Sequence, residues 1–140
     1  MENTARGILK IDNKYVFIKR TNKPGCKYDC FYAIPGGHLE KGEDFEEACL
    51  RELEEELGIK VKINKLFYEE SNDEVNKFEK YYLVDYISGE LGTGKGEEFD
   101  KNYHNQHGTY QVVCIDSDKL QEYTILPDVI KQMLIQKERK

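Results

Sequence analysis

Between residues 43 and 56 the chain gathers Glu43, Arg51, Glu52, Glu54, Glu55 and Glu56. Glu52 and Glu56 stand four apart and Glu52 and Glu55 three apart, so on a helix these three carboxylates project from a common face. Like charges at that spacing repel by roughly a few tenths of a kcal/mol per pair. A solvated acidic face is the bland explanation. Two features argue for chemistry instead. The acidic face overlaps the edge of an apolar stripe, so Glu52 and Glu56 are expected to be partly buried, and buried carboxylates must be paired or bind a cation. Directly upstream lies Gly36-Gly37, whose carbonyls can add oxygen ligands of the kind Mg²⁺ prefers. Divalent ions on such a cluster reverse the local sign and admit an anionic substrate.

The elements that must position these groups are legible in outline. Asp44 to Leu57 reads as a helix, with Asp44 as cap, Glu47 completing a capping box and Gly58 stopping it. At about 100° per residue, Phe45, Cys49, Leu53 and Leu57 fall within one arc of about 120°. Ahead of it, Ala5 to Ile11 and Tyr15 to Arg20 read as a strand pair around Asp12-Asn13-Lys14, because Asp and Asn favour turns. Thr21 to Asp29 reads as a loop and Phe31 to Ile34 as a short extended piece. The triplet Pro35-Gly36-Gly37 is expected to forbid a regular element while allowing close backbone approach. Beyond the helix, Ile59 to Tyr68 and Phe78 to Ile87 alternate as strands, with Ser71-Asn72-Asp73 between them. Ser88 to Gln106 reads as a long loop and Thr109 to Ile115 as a strand. Pro127 is expected to start a closing helix with Val129, Ile130, Met133 and Leu134 inward. The interleaving suggests an α/β or α+β sandwich with a mixed sheet.

The segment Gly37 to Ile59, GHLEKGEDFEEACLRELEEELGI, resembles the Nudix box, Gly-x5-Glu-x7-Arg-Glu-U-x-Glu-Glu-x-Gly-U with U aliphatic. Every specified position matches: Gly37, Glu43, Arg51, Glu52, Leu53, Glu55, Glu56, Gly58 and Ile59. For this composition a chance match arises about once in a million. The resemblance implies a single Nudix hydrolase domain over residues 1–140, built as an α/β/α sandwich with a central mixed sheet. It implies Mg²⁺- or Mn²⁺-dependent hydrolysis of a pyrophosphate bond in a nucleoside diphosphate linked to another moiety. Glu52, Glu55 and Glu56 match the metal-binding glutamates, the Gly36 carbonyl a backbone ligand beside them, and Glu43 an earlier glutamate that assists. Arg51 matches the arginine that orients the glutamates, as a partner behind the ligands.

Cleaving a diphosphate requires neutralised oxygens and an activated water, which divalent ions on carboxylates supply. A glutamate then takes the proton. Glu52 and Glu55 are candidates, and relatives often draw this base from a distant loop, where Glu97 and Glu98 stand here. Arg20 matches a phosphate-binding arginine of many relatives. Gly37 and His38 are further candidates for touching substrate, and Tyr28, Phe31, Tyr32 and Tyr82 for stacking a base.

The substrate is less legible. A downstream proline marks ADP-ribose hydrolases, but Asp73-Glu74 stand in its place, and Val75-Asn76 stand where dinucleoside polyphosphate hydrolases carry tyrosine. A nucleoside triphosphate or similar small nucleotide is therefore the default expectation. The alternatives are an ADP-ribose or nucleotide-sugar pyrophosphatase and a non-catalytic nucleotide-sensing Nudix domain. Sensors usually lose box glutamates, and none is lost here.

With 140 residues the chain points to one domain, and 39% apolar residues suffice for a core. Lys+Arg total 21 and Asp+Glu 27, a net charge of −6, which argues against stable nucleic-acid binding and against cap removal on RNA. No apolar run is long enough to span a bilayer, and Met1 to Lys10 does not read as a secretion signal. Cys26 and Cys30 are spaced CxxxC, but with Cys49, Cys114, His104 and His107 they complete no familiar zinc pattern. Reduced thiols in a cytoplasmic protein are the expectation. The resemblance allows a homodimer.

Overall fold

Asp12 and Asn13 take left-handed backbone conformations, φ 50° and 65°, which their short polar side chains tolerate in a tight hairpin turn. They join β1 (Glu2–Ile11) to β2 (Lys14–Thr21), with Lys10 opposite Tyr15. The computed structural model describes residues 2–21, 30–92 and 109–139. The chain divides into two units, residues 1–9 with 35–94 and residues 10–34 with 95–140, and β1 contributes to both.

In the first unit β1 lies between two partners. β6 (Lys77–Gly89) pairs with it in parallel from Glu2 opposite Lys77 to Leu9 opposite Val84, and β4 (Gly36–His38) pairs antiparallel. β5 (Ile59–Asn72) is antiparallel to β6, so the sheet is mixed. The register of β5 shifts at three places and its face carries Lys60, Lys62 and Lys65, devices that discourage further pairing at an edge. Helix α1 (Phe45–Leu57) buries Ala48, Cys49, Leu53 and Leu57. Gly7 of β1 permits this packing, because a Cβ there would stand 2.6 Å from Leu53 Cδ2 and 3.1 Å from Cys49 Sγ. Phe45 lies half-buried against Phe78, ring centroids 5.5 Å apart.

Two expectations need correction here. Pro35-Gly36-Gly37 does not exclude a regular element, since Gly36 and Gly37 form β4 with Ala5 opposite Gly37 and Arg6 opposite Gly36. Backbone pairing needs no side chain, and the expected close approach is what makes the strand. Ser71 and Asn72 finish β5, and the turn falls at 73–76. The ladder outlasts the apolar alternation that delimits it in the sequence.

The second unit centres on β2, flanked by β3 (Cys30–Ala33) and β7 (Thr109–Asp116), both antiparallel to it. β8 (Ile125–Leu126) runs parallel to β3 and leads into helix α2 (Asp128–Glu138). Val16, Phe17 and Ile18 are all buried, with Ile115, Leu120, Ile125, Ile130 and Leu134. Pro127 is the N-cap, so α2 starts one residue later than expected. Ile130 and Leu134 point inward and Met133 lies at the margin, but Val129 is 38% exposed. Val129 falls on the flank of the stripe that Ile130 and Leu134 centre. Among the described residues, no helix is long and apolar enough to cross a membrane.

Candidate active site

The carboxylates belong to a helix fixed at both ends. The Asp44 side chain accepts the Glu47 N–H at 2.8 Å, and the Glu47 carboxylate accepts the Asp44 N–H at 3.0 Å. At the other end Gly58, φ 77°, turns the chain left-handed and donates its N–H to the Glu54 carbonyl at 2.9 Å. Residues 51–56 therefore point in set directions from the first unit.

Arg51 lies at the centre. Its Nε and Nη2 donate to the two oxygens of Glu43 at 2.7 and 2.9 Å, a two-pronged pair. Nη1 reaches Glu52 Oε1 at 2.9 Å and Glu55 Oε2 at 3.2 Å, and Nη2 also donates to the His38 carbonyl at 3.0 Å. Glu40 adds a carboxylate 3.1 Å from Nε. The hydrogen bonds from Arg51 hold the Glu43 carboxyl below the usual range, and those to Glu43 push the guanidinium above its ordinary value.

Two further glutamates are set by β4. Glu56, 5% exposed, accepts the Gly36 N–H at 3.0 Å. The Glu52 carboxylate lies against the Cα of Gly37, where a Cβ would meet its Cδ, Oε2 and Oε1 at 2.6, 2.7 and 2.8 Å. Expected partial burial of Glu52 and Glu56 is what the structure has, with the Glu52 side chain 16% exposed. Glu55 is half-exposed.

Among the described residues, no three Asp, Glu, His or Cys side chains are arranged to hold a metal ion; the carboxylates converge on Arg51 instead. In its chemistry, the donor set nevertheless suits a hard divalent cation. It consists of oxygen donors only, one guanidinium serves four carboxylates, and the bare Cα of Gly37 makes a cradle for one of them.

Gly36, Gly37, Glu43, Arg51, Glu52, Glu55 and Glu56 thus stand together in one unit. His38 joins them through its carbonyl, while its ring, 68% exposed, lies 3.5 Å from Thr4 Oγ1 and 3.8 Å from Glu2. Arg20 belongs to the second unit. There its Nη2 donates to the Tyr110 hydroxyl at 2.7 Å and its guanidinium lies over the rings of Tyr110 and Phe31, 4.6 and 5.6 Å from their centroids. Its Nε is buried and has no hydrogen-bond partner among the described residues. Tyr32 packs edge-on against Tyr123. Tyr82 is buried, and that burial pushes its phenol up to about 12. Glu97, Glu98, Tyr28, Cys26, His104 and His107 lie outside the described residues.

Sequence reasoning missed Glu40 and Tyr110. Glu40 had a local signal, because its N–H bonds Glu43 Oε1 at 2.8 Å across a three-residue turn. Tyr110 had none, since only the register of β2 against β7 sets it opposite Arg20.

Comparison with known proteins bears on the family and the fold. The NUDIX domain model matches residues 1–108. The ADP-ribose pyrophosphatase of Methanocaldococcus jannaschii is 38% identical over 106 residues, 69% of this chain and 60% of that protein. The 8-oxo-dGTP diphosphatase of Escherichia coli is 33% identical over 97 residues, 66% of this chain and 73% of its own. A solved MutT structure, from work on Aliivibrio salmonicida and Vibrio cholerae, superposes with a TM-score of 0.68 at 23% identity, covering 96% of this chain and 95% of that one. The chain belongs to the Nudix family, and it has the Nudix-type fold with its mixed sheet that the box implied. The archaeal relative extends well beyond the matched stretch, which spans 60% of its length.

Proposed function

We propose that the chain, as one Nudix hydrolase domain, hydrolyses a pyrophosphate bond in a nucleoside diphosphate linked to another moiety. A nucleoside triphosphate or similar small nucleotide is the preferred substrate. The observation that carries this reading is the seating of Glu43, Glu52 and Glu55 around one guanidinium, with Glu56 held on the backbone of β4.

Glu52, Glu55 and Glu56, with Glu43 and the Gly36 carbonyl, would hold Mg²⁺ or Mn²⁺. When bound, that ion neutralises diphosphate oxygens and makes water a better nucleophile. Arg51 keeps Glu43, Glu52 and Glu55 in set orientations, so little reorganisation remains when substrate arrives. Glu52, Glu55 or Glu98 takes the proton from the attacking water. Arg20 binds phosphate oxygens, and the His38 and Gly37 segment borders the substrate. A homodimer in the cytoplasm is the assembly and location in keeping with this reading.

A second reading, ADP-ribose or nucleotide-sugar hydrolysis, is favoured by the 38% identical relative of that name. The missing proline near Asp73-Glu74 ranks it below the first. Phosphate and pyrophosphate release with Mg²⁺ decides, against canonical and oxidised nucleoside triphosphates, ADP-ribose, dinucleoside polyphosphates and nucleotide sugars. Turnover of triphosphates above the rest supports the proposal, and preference for ADP-ribose replaces it with the second reading. Cation binding without turnover of any substrate would turn the assignment toward a nucleotide sensor.

A further inference from the structure

We infer that Gly37 is a positioning residue: its missing side chain lets the Glu52 carboxylate lie face-on against β4, in the orientation the site uses. The inference rests on the proposed function only in taking Glu52 as a cation ligand. Its geometry is independent of substrate. All three atoms of the Glu52 carboxylate lie 2.6 to 2.8 Å from the place a Cβ of residue 37 would occupy. For a planar group, near-equal distances put that place over its face. Nothing in the backbone demands glycine there, since Gly37 is not among the positive-φ residues. The three atoms a Cβ there would meet first all belong to the Glu52 carboxylate.

The neighbouring Gly36 shows the contrast. It has φ 151°, and a Cβ on it would run into the Ala5 carbonyl and stand 2.6 Å from the Cα of Arg6. A side chain at 36 must break β1–β4 pairing, so Gly36 is required by the fold. At 37 the nearest obstacle to a methyl group is the far end of a flexible glutamate, which gives way by a fraction of an ångström at little cost to stability. The same displacement pulls Oε1 from its 2.9 Å contact with Arg51 Nη1 and re-aims the oxygens. One residue of β4 thus holds the fold, and the next holds a carboxylate in place.

The test is Mn²⁺ affinity, read from the paramagnetic resonance of free Mn²⁺, for wild type, Gly37→Ala, Glu52→Gln and the double variant, with a thermal melt of each. Gly37→Ala is expected to melt within a few degrees of wild type and to bind Mn²⁺ about 10- to 100-fold more weakly. In the Glu52→Gln background the glycine change is expected to add no further loss, because it acts through that carboxylate. Wild-type affinity in Gly37→Ala, an equal extra loss in the double variant, or failure of Gly37→Ala to fold would each overturn the inference. Wild type that binds Mn²⁺ but turns over no nucleotide leaves the positioning role standing while the enzymatic reading fails. Wild type that binds no Mn²⁺ overturns both.

Discussion

Arg51 grips both oxygens of Glu43, Nε at 2.7 Å and Nη2 at 2.9 Å, and with the rest of the same fork reaches Glu52 and the His38 carbonyl. A flat guanidinium can serve these partners at once because its donors diverge in one plane. An ammonium is a point donor and cannot reproduce that fork. Arg51→Lys should therefore keep the charge and lose the orientation. We expect turnover of the preferred nucleotide to fall about 10- to 100-fold, and stability to urea to drop by roughly 1–3 kcal/mol, because partly buried carboxylates lose their donors. Wild-type kcat in the lysine variant would show that charge alone is needed at 51.

Glu56 is the most enclosed of the site's carboxylates, and the backbone N–H of Gly36 is one of its partners. Glu56→Gln keeps an oxygen to accept from Gly36 and loses the negative charge. The fold should persist, with an unfolding free energy within about 1 kcal/mol of wild type. Mg²⁺-dependent turnover should fall by two orders of magnitude or more, on the order of what loss of a directly engaged carboxylate costs. A Mg²⁺ titration of activity, paired with urea unfolding, separates the two effects. Full activity at ordinary Mg²⁺ would remove Glu56 from the metal set.

The helix carrying the site is stabilised by its cap. Asp44→Ala deletes the acceptor for the Glu47 N–H and breaks the reciprocal box, at a cost of about 1 kcal/mol. The urea midpoint should shift without a change in slope. Asp44→Asn should recover most of the loss, and if it does not, the cap is not the cause.

These cases divide what the sequence could and could not tell. Helix α1 was legible to its last residue because its signals are local: Asp44 and Glu47 stand three apart, and Gly58 follows the last apolar residue. The shared face of Glu52, Glu55 and Glu56 followed from helical spacing in the same way. Their inequality did not. Glu56 is enclosed and Glu55 half-exposed because β4 covers one side of the helix, and β4 exists only through pairing with a strand some thirty residues earlier. Arg20 over Tyr110 was invisible for the same reason, since ninety residues separate them. Val129 misled because an apolar residue beside a stripe looks like part of it.

In the second unit, Glu138 near the end of α2 accepts a hydrogen bond from the buried Tyr15 hydroxyl, and Lys10 Nζ reaches its two oxygens at 3.0 and 3.1 Å. Burial alone would raise the Glu138 carboxyl, but the hydrogen bonds from Tyr15 and Lys10 outweigh it and hold the group below its ordinary value. A carboxyl depressed in the folded state binds its proton more readily when unfolded. Its stabilisation is therefore present above the unfolded value, about 4.3, and is lost as pH falls through the folded one. Glu138→Gln keeps an acceptor for Tyr15 without the charge. Wild type should exceed this variant by about 1 kcal/mol at pH 7, and the gap should close as the pH drops below about 4. Raising salt should trim chiefly the Lys10 share, since the Tyr15 hydroxyl carries no charge to be screened. Urea unfolding of both proteins from pH 3 to 7 measures the gap. A difference that stays constant across that range would show that the charge on Glu138 contributes nothing to the docking of α2.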